Sequence, residues 1–242
     1  MSRVEPAPNA PALEPGDADA TASERSRLAR LYYITMRWIC CFWFLVIGGI
    51  RASGREHVPA TGAALLVSNH VSFYDVLVLG IPMNRYINYV ARSTLFVPVF
   101  GFLLRKLGGY AIQREGMGAS GLKETLRRLR RGGIVVLFPE GTRSRDGRVA
   151  ELKAGIAVIA QKARVPVVPA AVAGTFEAWP RTRLLPGLHA SHVQYGPAIL
   201  PDEIAGLPPD TAAALIRDRI AACYREAQRS LARELQIEPA GD

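Results

Sequence analysis

Cysteine is scarce: the 242-residue chain carries three, Cys40, Cys41 and Cys223. None has metal-ligand spacing, and the adjacent pair could bridge only under strain. This argues against a disulfide framework and a bound metal, and for packed thiols in a reducing compartment. Acidic residues are also few, 21 against 30 Lys and Arg, so the net charge is +9. Such a balance attracts polyanions: nucleic acid, an anionic bilayer or a phosphorylated small molecule. The cations are dispersed and no nucleic-acid motif accompanies them, so nucleic acid is a weak fit. No internal repeat is present. No Gly-x-Ser-x-Gly elbow is present either, so no activated serine signals an acyl-enzyme.

Long hydrophobic runs are limited to one. Residues 31–50, from Leu31 to Ile50, would measure about 30 Å as a helix, just enough to span a bilayer. Arg37 interrupts the run, six aromatics crowd it, and Arg25, Arg27, Arg30, Arg51 and Arg55 flank it. Aromatics favour the headgroup level and flanking cations suit an anionic surface, so a helix lying in one leaflet is preferred to a full span. The plain alternative is a core helix of a soluble domain. The run comes too late for a signal peptide and lacks a small-residue cleavage site. Before it, residues 1–24 are rich in Ala, Pro, Asp and Glu and read as a disordered leader.

What remains is enough for one well-buried domain and short for two. Strand-like segments at 62–68, 86–91, 109–113, 134–138, 165–173 and 192–196 alternate with helix-like segments at 72–80, 95–106, 119–131, 154–163 and 210–235. That order predicts a single α/β domain with a largely parallel or mixed sheet flanked by helices. Pro166 and Pro169 are awkward in a central strand, so 165–173 is expected to be bulged or near an edge.

Two polar clusters stand at probable strand exits. Asn69, His70, Ser72, Phe73 and Asp75 follow the run Ala63–Val67, and Phe138 to Ser144 follow the run Ile134–Leu137. His70 and Asp75 are five positions apart, about 140° around a regular helix. They can meet only if His70 lies in the turn and Asp75 in the first helical turn after it. Ser72 is a good N-cap for such a helix. A carboxylate on one imidazole nitrogen leaves the other as a base for a substrate hydroxyl. Taken alone, the pair fits a structural turn histidine better than a catalytic one. In the second cluster Arg143 can fork onto a phosphate, Gly141 permits close backbone approach, and Thr142 can donate a hydroxyl bond. Arg114, after the strand at 109–113, is a further candidate phosphate contact. A competing pattern, Gly116-x-Gly118-x-x-Gly121 with Glu140 19 residues later, matches a nicotinamide-dinucleotide fingerprint. Against it, Gln113 to Glu115 separate the strand from the first glycine, and Glu115 would set a negative charge beside a pyrophosphate.

The two clusters resemble signature motifs of the glycerolipid acyltransferase family, whose best-known members acylate lysophosphatidic acid to phosphatidic acid. Gly109 to Arg114 and Val165 to Ala170 look like two further motifs in the same order, and Gly54, Val58–Pro59 and Gly174–Thr175 also fit. The resemblance implies that His70 is the general base and Asp75 its orienting partner. It implies that Arg114, Glu140, Gly141, Thr142 and Arg143 hold a phosphorylated glycerol acceptor. The implied donor is a thioester of coenzyme A or acyl carrier protein, with no cofactor and no metal. A lyso-ornithine lipid is an alternative acceptor, and a non-catalytic membrane-bound binding protein a further reading. The expected plan is a leader at 1–24, which is not part of the family pattern, a membrane-associating helical segment at 25–52, a catalytic domain at 53–236 and a tail at 237–242. Membrane lipid, lysophospholipid and acyl carrier protein are the expected partners, at the cytoplasmic face of the cell membrane.

Overall fold

The computed structural model describes residues 27–93, 101–102, 104–105, 107–112, 118–153 and 155–236. The leader, the tail, Arg114 and most of the helix expected over 95–106 lie outside them. The elements are α1 (Arg27–Val46), β1 (Ile50–Ser53), β2 (Ala64–Ser68), α2 (Asp75–Gly80), β3 (Ile87–Arg92), β4 (Gly109–Ile112), α3 (Gly118–Arg130), β5 (Ile134–Leu137), α4 (Gly155–Ala163), β6 (Val167–Ala173), α5 (Thr175–Ala178), β7 (Ser191–Tyr195), α6 (Pro201–Ile204) and α7 (Pro209–Leu235). The strands form one seven-stranded mixed sheet in the order β1-β7-β6-β2-β5-β3-β4. Only β6 and β7 pair antiparallel; the other neighbours are parallel.

Both faces of the sheet are covered, which explains why its central strands read as unbroken apolar runs. Along β2 and β5, Leu66, Ile134 and Val136 face a layer holding Phe44 of α1 and Val78 and Leu79 of α2. Leu65, Val67, Val135 and Leu137 face the opposite layer, with Leu129 of α3, Ile156 of α4 and Ile216 and Ile220 of α7. Each fully buried Leu or Ile contributes about 1.5–3 kcal/mol by leaving water.

Three expectations need correction. Strand β6 is neither bulged nor at an edge: Val67 pairs with Pro169 on one side, and β7 lies on the other. The Pro169 carbonyl accepts the Gly196 N–H at 2.8 Å, just past the end of β7. A residue's N–H and C=O point to the same side of a strand, so the missing N–H faces a place where the β7 ladder has already stopped. Residues 50–52, attached to the lipophilic segment by their composition, instead open the edge strand β1 beside β7. Helix α2 begins at Asp75, and Ser72 lies in the preceding turn, where its hydroxyl accepts the Tyr74 N–H at 3.1 Å.

Helix α1 is seated by one face only. Phe44 meets Tyr74 with ring centroids 4.9 Å apart, and Trp43 Nε1 donates to the Tyr74 hydroxyl at 3.0 Å. Arg37 lines a cavity of about 330 Å³ between α1 and residues 84–86. Leu31, Trp38, Ile39, Phe42, Leu45 and Val46 remain exposed on the rest of the helix. Among the described residues, no helix is long and apolar enough to cross a membrane.

Candidate active site

Three neighbouring parallel strands, β6, β2 and β5, release the chain at the same edge of the sheet. Ser68 pairs with Ala170, and Val67 with Leu137. The segments just beyond them, beginning at Gly174, Asn69 and Phe138, therefore meet, although they are far apart in sequence. This carboxyl edge is where open α/β sheets place their ligands.

The turn after β2 is clamped before it bears any chemistry. Asn69 accepts the Val172 N–H at 2.9 Å and donates to the Val172 carbonyl at 3.1 Å, so its side chain pairs with β6 as backbone would. Asp75, fully buried, then reaches back from the first turn of α2. Its Oδ2 accepts the Val71 and Ser72 N–H groups at 2.7 and 2.8 Å and lies 2.7 Å from His70 Nδ1. Its Oδ1 accepts the Thr175 hydroxyl at 2.8 Å. A carboxylate only accepts, so the geometry assigns the proton to Nδ1 and leaves Nε2 as the basic nitrogen. Among the described residues nothing bonds Nε2, and the His70 side chain is 22% exposed. The ring stacks on Phe138, centroids 4.1 Å apart and planes 17° from parallel, which holds its second degree of freedom.

The second cluster meets the first directly. The His70 N–H donates to Glu140 Oε1 at 3.0 Å, and the Ser144 N–H donates to the His70 carbonyl at 2.7 Å. Glu140 therefore sits beneath the His70 turn as a fastening between two loops, with 5% of its surface exposed. Burial pushes its carboxyl up from 4.5 to about 7, against the His70 and Ala150 N–H groups that favour the ionised form. The Ala150 N–H lies near enough to act on the charge, while Oε2 makes no well-aligned hydrogen bond. The Arg143 guanidinium stacks 3.5 Å above the Phe73 ring. Phe73 lies between His70 and Asp75 in sequence, so this contact fixes the cation beside the imidazole turn. Gly141 has φ +72°, and a Cβ there would meet Lys153 Nζ at 2.8 Å. Glycine thus satisfies a left-handed backbone and admits a second cation, the Lys153 amine. Thr142 is exposed on the same loop.

His70, Asp75, Glu140, Gly141, Thr142 and Arg143 are thus gathered at one sheet edge, while Arg114 lies outside the described residues. Thr175, Phe138, Phe73 and Asn69 complete the arrangement without having been assigned roles from sequence. Thr175 had a signal in the Gly174–Thr175 pair at a strand exit; the partnership with Asp75, 100 positions away, had none. The dinucleotide reading loses its geometry. A fingerprint of that kind needs the acidic residue on the strand next to the first one, but β3 separates β4 from β5, and Glu140 faces the His70 turn.

The description of the acyltransferase family matches residues 49–173, just over half of the chain. A 1-acyl-sn-glycerol-3-phosphate acyltransferase of Bacillus subtilis is 35% identical over 129 residues, covering 52% of this chain and 64% of that protein. A lyso-ornithine lipid O-acyltransferase of Rhizobium meliloti is 32% identical over 159 residues, covering 63% and 52%. The match spans less than two thirds of the length of either relative. The crystal structure of the 1-acyl-sn-glycerophosphate (LPA) acyltransferase PlsC from Thermotoga maritima has the same fold, with a TM-score of 0.69, 22% identity, and coverage of 91% of this chain and 88% of that one. The matched stretch contains both the His70–Asp75 turn and the loop that fastens to it from the adjacent parallel strand, and the chain belongs to the acyltransferase family.

Proposed function

We propose that this protein transfers a fatty acyl group from a thioester donor, acyl-CoA or acyl carrier protein, to the free hydroxyl of 1-acyl-sn-glycerol-3-phosphate, making phosphatidic acid. The observation that carries the reading is the 2.7 Å contact between His70 Nδ1 and Asp75 Oδ2, with Nε2 left unbonded by the described residues. His70 Nε2 removes the proton from the acceptor hydroxyl as its oxygen attacks the thioester carbonyl. Asp75 stabilises the imidazolium. The tetrahedral intermediate collapses, the C–S bond breaks, and the thiolate takes the proton from His70. No covalent enzyme intermediate is required. General-base catalysis of this kind is worth about 10²–10⁴ in rate.

Arg143 and Lys153 are the candidate cations for the acceptor phosphate, with Gly141 and Thr142 offering close backbone and hydroxyl contacts. Arg114, outside the described residues, is assigned to the same phosphate by family resemblance. Glu140 acts on the acceptor indirectly, by holding the His70 turn against this loop. The apolar outer face of α1 is read as the membrane-associating element, and the enzyme is taken to work at the cytoplasmic face of the membrane that supplies its lipid substrate.

A second acceptor is supported by one specific observation, the similarity to the Rhizobium lyso-ornithine lipid acyltransferase. The deciding experiment offers the purified protein lysophosphatidate and lyso-ornithine lipid, each with acyl-CoA and with acyl carrier protein donors, and reads products by mass. Phosphatidate as the main product is expected, and Arg143→Ala should raise the KM for lysophosphatidate. Preferential acylation of lyso-ornithine lipid, with Arg143→Ala neutral, selects the second acceptor. No product from any pair removes the acyl-transfer reading altogether.

A further inference from the structure

Helix α1 does not hold all of the exposed apolar surface. A loop between α5 and β7 runs Arg181, Thr182, Arg183, Leu184, Leu185, Pro186, Gly187, Leu188. Its leucines are 89%, 73% and 77% exposed, and both arginines are exposed, with Arg183 Nη1 also donating to the Glu177 carbonyl at 3.3 Å. One exposed leucine needs no explanation, but three within five positions beside two cations form a patch that calls for an apolar partner with a negatively charged rim.

The loop is held in place. Arg183 N–H donates to the Pro180 carbonyl at 3.2 Å, Trp179 Nε1 to the Arg183 carbonyl at 3.3 Å, and Gly187 N–H to the Ala178 carbonyl at 2.7 Å. The leucines are therefore presented by a fastened base. That base joins two regions already described. On one side Ser72, in the catalytic turn, bridges Pro180 and donates to the Trp179 carbonyl at 2.8 Å. Phe73, 48% exposed, packs on Trp179 with centroids 4.8 Å apart. On the other side His189 N–H donates to the Ile47 carbonyl at 2.8 Å, just past the exposed Leu45 and Val46 at the end of α1. The loop thus links the outer face of α1 to the rim beside His70.

We propose that the Arg181–Leu188 loop is a second lipid-inserting element, with Leu184, Leu185 and Leu188 entering an anionic leaflet and Arg181 and Arg183 lying against its phosphates. Leucines flanked by arginines match the layering of a bilayer surface, acyl chains below and phosphates above. Continuity with α1 supplies the second argument for lipid as the occupant. The consequence for function is positional: two contacts, one on each side of Ser72 and Phe73, seat the mouth of the His70 site on the bilayer. A lysophospholipid hydroxyl near the headgroup level then needs little extraction to reach the imidazole. This inference rests on the membrane reading of α1 given above.

The test uses the full chain and three variants: Leu184→Asp/Leu185→Asp, Arg181→Glu/Arg183→Glu, and Trp38→Asp/Phe42→Asp on α1. Partition is measured by flotation with vesicles of phosphatidylcholine, without and with phosphatidylglycerol. Loss of two leucines is expected to weaken partition at least about tenfold on both vesicles. The charge reversal should weaken it only where phosphatidylglycerol is present. Turnover of a short-chain, water-soluble lysophosphatidate without vesicles should be unchanged in both loop variants, which also reports that they fold. Loop variants that partition like the parent overturn the proposal. So does a dimer of the parent, seen by light scattering, that Leu184→Asp/Leu185→Asp splits, since the leucines then face a second copy. If the α1 variant also partitions like the parent, the membrane reading of α1 fails as well, and the two failures are thereby told apart.

Discussion

Among the described residues two histidines sit on carboxylates, and only one of them has a ring nitrogen left open at a sheet edge. His70 Nδ1 lies 2.7 Å from Asp75, and His192 Nδ1 lies 2.9 Å from Glu234. Both pairs have the contact that orients a general base. The difference is at the other nitrogen. His192 Nε2 is 3.2 Å from the Ser53 hydroxyl, and its side chain is 4% exposed. Its partner Glu234 is further tied to Arg51 at 3.3 Å. His192 and Ser53 stand on the regular strands β7 and β1, so the order Ser53, His192, Glu234 lacks the strained turn that presents a nucleophile. His70 instead stands in a turn at a sheet edge, with its carboxylate also held by two backbone N–H groups and the Thr175 hydroxyl, and its far nitrogen unbonded by the described residues. A histidine–carboxylate contact is a structural tether by default. Its placement in the fold turns one of them into a candidate base.

The largest expected effect separates the two imidazoles. His70→Ala should lower kcat by about 10²–10⁴ with little change in acceptor KM. His192→Ala should keep turnover and lower stability by about 1–3 kcal/mol, because a buried bonded group is lost. Equal losses of kcat in both would erase the distinction. The carboxylates offer the next test. Asp75→Asn should lower kcat by at least about 10², through the wrong tautomer, and also lower the melting temperature, since two turn N–H groups lose a charged acceptor. Glu234→Gln should leave kcat alone.

The fastening beneath His70 has no counterpart under His192, and pH should expose it. With its carboxyl raised from 4.5 to about 7, Glu140 keeps a proton in the folded protein that the unfolded chain has already lost. Stability should fall as pH rises from about 4.5 to about 7, by on the order of 3 kcal/mol in total, and level off above. Denaturant titrations of Glu140→Gln should show this slope removed; an unchanged slope assigns it to other groups. The smallest effect concerns the cation. Phe73→Leu should remove the stacking contact of the Arg143 guanidinium and raise acceptor KM by about two- to fivefold, the scale of an exposed cation–π contact, with kcat nearly intact.

Much of the fold was legible because the central strands are buried on both faces. Such strands appear as short apolar runs with turn residues at their ends, and helix α7 spans Pro209–Leu235, almost where its periodicity predicted it. Strand β1 was not legible, because Ile50–Ser53 is brief and continues an apolar stretch that reads as helix. Pro169 misled for a related reason: whether a missing N–H is costly depends on where the neighbouring strand stops. At the site, His70 and Asp75 could be paired on local spacing. Glu140 could be placed near them but not oriented, and its carboxyl turned out to face the His70 backbone.

The sequence alone determined most of the elements, though not β1, together with the two strand exits and the residue types gathered there, because those depend on local periodicity and short-range turn geometry. Only the tertiary structure decided that β2 and β5 are neighbours, that Thr175 completes the Asp75 contacts, and that one histidine keeps a ring nitrogen unbonded by the described residues while the other does not. Those outcomes depend on hydrogen bonds and packing between segments as much as 139 positions apart, whose partners are chosen by how the whole sheet assembles.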